Sequence, residues 1–355
     1  MKSFGLDGLT NLVMLQGVEL IGAHTPPFSQ NTPVLIFGLS EINPSQMKTV
    51  LSTVYPPEFV TKVMLSDGSV IQLSIKDLSA QNFSSILIPS LGTGTSFTEF
   101  QEMIAHLRAP EDGCPWDKEQ THLSLRKHLL EESYETISAM DQEDPVKMAE
   151  EFGDLLLQIV LNAQIGCESG TFNMAVILKG IYEKILRRHP HVFGEVKVGG
   201  VSEVLSNWEK IKAGERNKNG ESHKGILDGL PAALPAMTQA QEFQDRAARV
   251  GFDWPVIDDV ISKILEDIYD IKNVTNHEEL LDEIGDLFFV LVNFARWKKI
   301  DSESALRQAN LKFKKRFKYI EKQASESGRT VESMDLQEMD DLWNKAKIFF
   351  KNNEN

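Results

Sequence analysis

The chain has 355 residues, 41% hydrophobic and 25% charged, a composition typical of a soluble globular protein able to bury two or three cores. Its net charge of −15 argues against sequence-independent nucleic-acid binding, which needs a basic surface. Two cysteines, Cys114 and Cys167, indicate a reducing compartment without a disulfide framework. No signal-peptide layout opens the chain, and the apolar runs near 155–160 and 287–292 are too short for a bilayer. A cytoplasmic location with no membrane partner is expected.

Residues 1–95 form a small α/β segment. Apolar, β-rich runs at 34–39, 59–65, 70–75 and 86–89 read as strands separated by turns such as Ser66-Asp67-Gly68-Ser69. A helix fits over 44–54. Gly92-Thr93-Gly94 is too short for a dinucleotide fingerprint and reads as linker.

Residues 96–213 form a first helical unit. An amphipathic helix over 97–108 leads into the loop 109–117, which carries Trp116; periodicity favours a core anchor there over a wall for a base. The stretch 129–154 then offers Glu131, Glu132 and Glu135, followed by Glu151 and Asp154. Residues three or four apart share a helical face, so Glu131 aligns with Glu135, with Glu132 about 100° round the same helix, and Glu151 aligns with Asp154 on a second. Asp144-Pro145 marks the turn between the two helices. Such motifs are commonly solvated faces. Here, however, Glu151 and Asp154 run into an apolar stretch, which predicts a buried helix, and Gly153 sits mid-helix, which predicts close approach of another group. Up to five converging carboxylates repel unless a cation sits among them, and hard oxygen donors point to Mg²⁺, with Mn²⁺ as a substitute. Helices follow over 152–164, 174–188 and 201–212. Arg187 and Arg188 serve either a helix end or phosphate oxygens. His189-Pro190-His191 reads as a turn.

The pattern then recurs. After a polar linker at 214–224, a second helical unit spans 225–350. Helices are predicted over 237–250, 256–272, 276–298, 302–324 and 336–350, joined as in a bundle. Glu266, Asp267 and Asp270 take the places of the first acidic group, and Glu283-Ile284-Gly285-Asp286 repeats Glu151-Phe152-Gly153-Asp154. Lys315-Arg316-Phe317 answers Arg187-Arg188-His189. Trp343 and Lys347 answer Trp208 and Lys212, and Trp254 answers Trp116. A duplicated unit is far more specific than either acidic cluster alone.

Two resemblances follow from these residues. His24-Thr25-Pro26-Pro27, Tyr55-Pro56-Pro57-Glu58 and 86–91 resemble the C-terminal half of a tetrapyrrole (SAM-dependent) methylase domain. The half with that family's glycine-rich cofactor loops is absent, so no SAM and no methyl transfer are expected. The ordered set CPWDKEQTHLSL, EESYE…EEFGD, RRHPHVFGEV, NWEKIK and GFDWP resembles the MazG family of nucleoside triphosphate pyrophosphohydrolases over about 96–350. That resemblance implies a mainly α, dimeric fold with tandem helical units. It also implies Mg²⁺-dependent hydrolysis of NTPs and dNTPs to monophosphate and diphosphate, as nucleotide-pool housekeeping. Carried over, Glu131, Glu132 and Glu135 would be catalytic. Glu132, Glu135, Glu151, Asp154, Asp267, Asp270, Glu283 and Asp286 would be metal ligands. Arg187, Arg188, Lys212, Trp116, Lys315, Arg316, Lys347 and Trp254 would bind substrate. Glu131 is the simplest candidate to orient or deprotonate the attacking water.

The second unit departs from the pattern through Asp267 and Asp270, which reach one methylene less far, and through Lys315 in place of Arg187. Either unit could carry turnover. Two other classes share some of these features. A carboxylate-bridged di-metal oxidase needs Glu-x-x-His on two helices, and only Glu119–His122 supplies one. A non-catalytic nucleotide-binding regulator on the same helices is the alternative function.

Overall fold

The structure is a computed structural model describing Phe4 and residues 11–40, 42–218 and 225–352. It is mainly α with a small N-terminal sheet. By contacts the chain divides into two compact units, Met1–Ile185 and Leu186–Asn355.

In the first unit, β1 (Val13–Gln16), β2 (Val34–Phe37), β3 (Val60–Met64), β4 (Val70–Ser74) and β5 (Ser85–Ile88) form one sheet in the order β1-β2-β5-β3-β4. Only β1 and β2 pair in parallel. The four runs expected from sequence are strands. β1 was missed, because four residues with an exposed Met14 carry little pattern. Helix α1 (Pro44–Leu51) starts at Asn43, whose side chain accepts from the Ser45 N–H, with Pro44 in the first turn. It packs Met47, Val50 and Leu51 onto Val34, Ile36, Val63 and Ile86 of the sheet.

After the sheet come α2 (Phe97–Leu107), the short α3 (Pro115–Glu119), α4 (Arg126–Asp141), α5 (Pro145–Glu168) and α6 (Met174–Arg188). Ile104, Leu125, Val160, Leu161 and Met174 form their core. The α4–α5 turn takes three residues. Glu143 adopts φ 52°, and Asp144 caps α5 by accepting from the N–H groups of Val146 and Lys147. The chain thus doubles back, and α5 lies along α4.

The division into units falls inside α6, not at residue 213 where the sequence placed the end of the first repeat. The end of α6 is tied to α8 (Val201–Lys218), which follows the short α7 (Pro190–Phe193). The expected 214–224 linker begins inside α8, and 219–224 lie outside the described residues. The second unit continues with α9 (Ala236–Ala248), α10 (Ile257–Asn273), α11 (His277–Trp297), α12 (Ser302–Glu326) and α13 (Leu336–Asn352). Asn276 caps α11 and Asp301 caps α12, each through its side chain. α10 packs on α11, α9 on α11 and α12, and α13 on α12. Among the described residues no helix is long and apolar enough to cross a membrane.

Candidate active site

The turn before α5 sets the register that brings α4 and α5 carboxylates together. Glu132, Glu151 and Asp154 each place an oxygen within 4.8 Å of the others, all half-buried. Thr136, 4% exposed, sits one turn beyond Glu132. Its hydroxyl lies 2.8 Å from the Glu132 carbonyl and 3.4 Å from that of Glu151, joining the helices at this level. Desolvation, then repulsion from Asp154, Glu135 and Glu151, raises the Glu132 carboxyl above its ordinary range, and His128 opposes this. Desolvation, then Glu135, Glu150 and Asp154, raises Glu151. Glu135 therefore belongs to the same field, although its oxygens are not in the tight group of three.

Glu131 is placed differently from the expected acidic set. It is largely exposed, and its carboxylate lies 3.2 Å from His128 Nδ1. His128 stands three positions earlier on the same helix, so the two side chains share one face. His128 also meets Trp116 edge-on, with ring centroids 5.9 Å apart. Trp116 is 53% exposed and is not the core anchor that periodicity favoured. It rides on the short helix α3, which buries none of its residues. α5 is likewise less buried than expected, because Phe152, Leu156 and Ile159 face outward. Among the described residues nothing lies within 4 Å of a Cβ built on Gly153, so no close approach within them explains that glycine.

The second repeat builds its cluster otherwise. Glu266, Asp267 and Asp270 converge within 4.8 Å, all from α10. Asp267 is 1% exposed, and Lys263 places its ammonium 3.0 Å from Asp267 Oδ1 and 2.7 Å from Glu266 Oε1. The hydrogen bonds to Glu266 and then Asp267 raise the Lys263 pKa, so it stays charged. From α11, Glu283 is raised by desolvation and then by repulsion from Asp270, Asp286 and Asp267. Thus Glu283 and Asp286 face the same acidic field. Lys263 matches His128 at three residues before Glu266 and Glu131, a signal present in the sequence but not used.

The substrate-side candidates fall in the second compact unit, apart from Trp116. Arg187 and Arg188 both grip Glu215 of α8. Lys212 is half-buried on the same helix. Lys315 and Arg316 of α12 and Lys347 of α13 line a cavity of about 260 Å³ with Lys312, Phe350 and Lys351. The Lys315 ammonium stands 4.5 Å from the centre of the Phe350 ring, and the Arg316 guanidinium 5.5 Å from that of Trp343. Lys312 and Lys351 were missed, although Lys312 precedes Arg316 by one helical turn. Trp254 is half-buried, its N–H held by Asp253, which in turn pairs with Arg296.

A model of the MazG nucleotide pyrophosphohydrolase domain matches residues 120–193, which include both acidic motifs of the first repeat and Arg187-Arg188. The Thermotoga maritima nucleoside triphosphate pyrophosphohydrolase/pyrophosphatase MazG is 42% identical over 72% of this chain and 96% of its own length. This chain belongs to the MazG family. The Escherichia coli K12 nucleoside triphosphate pyrophosphohydrolase is 41% identical over 69% of this family member and 94% of its own length. The uncharacterized protein YabN of Bacillus subtilis is 40% identical over 86% of it, and the match spans 65% of YabN. Membership makes the chain a hydrolase of the nucleotide pyrophosphohydrolase type. Of the two carboxylate clusters of this MazG member, the one at Glu132, Glu151 and Asp154 lies within the matched residues 120–193.

Proposed function

We propose that the protein hydrolyses nucleoside and deoxynucleoside triphosphates to the monophosphate and diphosphate, with Mg²⁺ as cofactor. The convergence of Glu132, Glu151 and Asp154 carries this reading. Three hard oxygen donors, two of them held above their ordinary range by desolvation and mutual repulsion, suit a small divalent cation that keeps waters and substrate phosphates as its other ligands. Bound there, Mg²⁺ would neutralise charge on the triphosphate and polarise it for attack.

The chain's residues divide the remaining work. Glu132, Glu151 and Asp154 hold the cation, with Glu135 completing the acidic wall. Glu131, engaged with His128 and outside the tight group, orients the attacking water. The water oxygen bonds to the α-phosphorus as its proton passes to the Glu131 carboxylate, the bridging α–β P–O bond breaks, and diphosphate leaves with the electron pair. In the second repeat, Asp267, Asp270, Glu283 and Asp286 are the corresponding ligands. There Lys312, Lys315, Arg316 and Lys347 take phosphate oxygens, Arg bidentately. Trp116 and Trp254 would serve as walls for the base. Exposed apolar faces on α5 and α6 suit pairing of two copies.

Mg²⁺-dependent diphosphate release from a panel of NTPs and dNTPs tests this, with wild type beside Glu135→Gln and Asp270→Asn. Loss in one variant locates the working repeat, and loss in both shows cooperation. Release unchanged in both variants would sink the site assignment. Nucleotide binding without release by wild type would leave the regulator reading.

A further inference from the structure

Glu131 is the carboxylate that the proposed reaction needs and that the tight group does not hold. Its side chain is 63% exposed, and it stands outside the convergence of Glu132, Glu151 and Asp154. A long exposed carboxylate samples several rotamers, whereas orienting a water demands one of them. Its partner is His128, whose Nδ1 lies 3.2 Å from Glu131 Oε2. An ionised carboxylate only accepts, so the proton of this contact belongs on Nδ1. The separation is at the long end for such a pair, as in sites that tighten once substrate is in place.

His128 is itself braced. The Trp116 ring meets it at 68° with centroids 5.9 Å apart, inside the range of edge-to-face aromatic pairs. α3, which carries Trp116, buries none of its residues, yet its C-terminal end is pinned. Gln120 Nε2 donates to the Trp116 carbonyl at 2.9 Å, and Arg108 donates to the carbonyls of Asp117 and Gln120. The arrangement recurs in the second repeat. Lys263, three residues before Glu266, places Nζ 2.7 Å from Glu266 Oε1 and also reaches Asp267. Each repeat thus sets a basic side chain on the same helical face as its outer glutamate.

We propose that His128 is a positioning residue of the first repeat, holding Glu131 in the rotamer that meets the attacking water, with Trp116 as the brace that fixes the imidazole. The inference rests on reading Glu131 as the group that orients this water and takes its proton. His128 acts through Glu131 and supplies no ligand to the cation. Removing the imidazole leaves Glu131 free to turn while Glu132, Glu151 and Asp154 keep their places. The loss therefore falls on kcat, with KM and Mg²⁺ binding spared.

The test uses the full chain and the nucleotide that wild type hydrolyses fastest. His128→Leu is expected to lower kcat roughly tenfold or more, with KM within about twofold of wild type. His128→Asn, whose amide NH₂ takes the place of Nδ1, should recover most of that loss. An unchanged kcat in His128→Leu, or a loss that His128→Asn does not recover, overturns the proposal. So does a His128→Leu variant whose Tm no longer rises with Mg²⁺, since that would put His128 in the cation site. A second arm needs no nucleotide. In long-range ¹H–¹⁵N spectra of histidine-labelled protein, His128 Nδ1 should carry a proton, and its signal should move in Glu131→Leu and in Trp116→Leu. A bare Nδ1, or a signal indifferent to Glu131→Leu, overturns the proposal even if His128→Leu does not fold. Failure of wild type to release diphosphate from any nucleotide would count against the hydrolase reading and leave the result of this second arm standing.

Discussion

Arg108→Met is the perturbation whose size the structure sets most directly. Arg108 follows α2 with its side chain 6% exposed. Its Nε lies 2.9 Å from Glu168 Oε1 and its Nη2 2.7 Å from Glu168 Oε2, while Nη1 donates to the carbonyls of Asp117 and Gln120. One guanidinium thus ties the end of α5 to the C-terminal end of α3, the short helix that carries Trp116. Breaking a buried pair costs about 3–5 kcal/mol, but Glu168 is 37% exposed and water takes up part of its charge, leaving about 2 kcal/mol. The two carbonyls that lose a donor add about 0.5 kcal/mol each. The sum, about 3 kcal/mol, lowers Tm by roughly 6–12 °C in a unit of this size. Urea and thermal denaturation of Arg108→Met, Glu168→Met and the double variant should show a coupling of about 1–2 kcal/mol. Arg108 also holds Glu168 below its ordinary range. That stabilisation is present above the unfolded carboxylate pKa and is lost as pH falls through the folded value, so the gap between wild type and Arg108→Met should close in acid. A loss below about 1 kcal/mol, or a coupling under about 0.5 kcal/mol, would refute the tether.

The acidic cluster should behave in the opposite sense. Glu132 and Glu151 are raised in the folded state, so in chelator their contribution is fully present below the unfolded carboxylate pKa and is lost as pH rises through the folded values. Saturating Mg²⁺ should restore Tm at neutral pH, and a Tm indifferent to both pH and Mg²⁺ would remove the cluster as a cation site. Glu132→Gln should raise Tm in chelator while abolishing the Mg²⁺ response, as scanning calorimetry would show. In the second repeat, Lys263→Met leaves Asp267 buried without its ammonium and should destabilise by about 2–4 kcal/mol. Asp267→Asn in the same background should recover most of that loss, and denaturation that shows no recovery would separate the two residues.

Much of this was legible because helices announce themselves through spacing. The apolar period and the Asp144-Pro145 cap signal placed α4 and α5, and i, i+3 and i, i+4 rules then aligned Glu131 with Glu135, with Glu132 about 100° round the helix, and Glu151 with Asp154. What spacing along one helix cannot give is the choice a side chain makes between neighbours. The i, i+4 spacing puts Glu131 with Glu135, yet Glu132 enters the tight group and Glu131 lies against His128. Nor do partners far apart in sequence leave a local trace. Arg108 and Glu168 are 60 residues apart, and Glu215 reads as one more polar residue beside a glycine-rich stretch until Arg187 and Arg188 are seen to hold it. Trp116 shows the opposite error, since a large aromatic in a short loop looks like an anchor and here lies largely in the open.

The glycines one residue before Asp154 and Asp286 have a consequence for how this fold divides stability from work. Among the described residues a Cβ built on Gly153 or on Gly285 meets nothing within 4 Å, and neither glycine has a positive φ. Each sits inside a long helix, where alanine would be favoured by about 1 kcal/mol through backbone entropy alone. Folding of the isolated chain therefore gains nothing from either glycine, and Gly153→Ala should melt higher than wild type. Two helices thus give up helix propensity at matching places, each leaving a strip of bare backbone beside its carboxylates. A methyl group there adds rigidity and removes that strip. Comparing melting temperature with Mg²⁺-dependent turnover in Gly153→Ala and Gly285→Ala would show which repeat uses the uncovered peptide groups during its reaction.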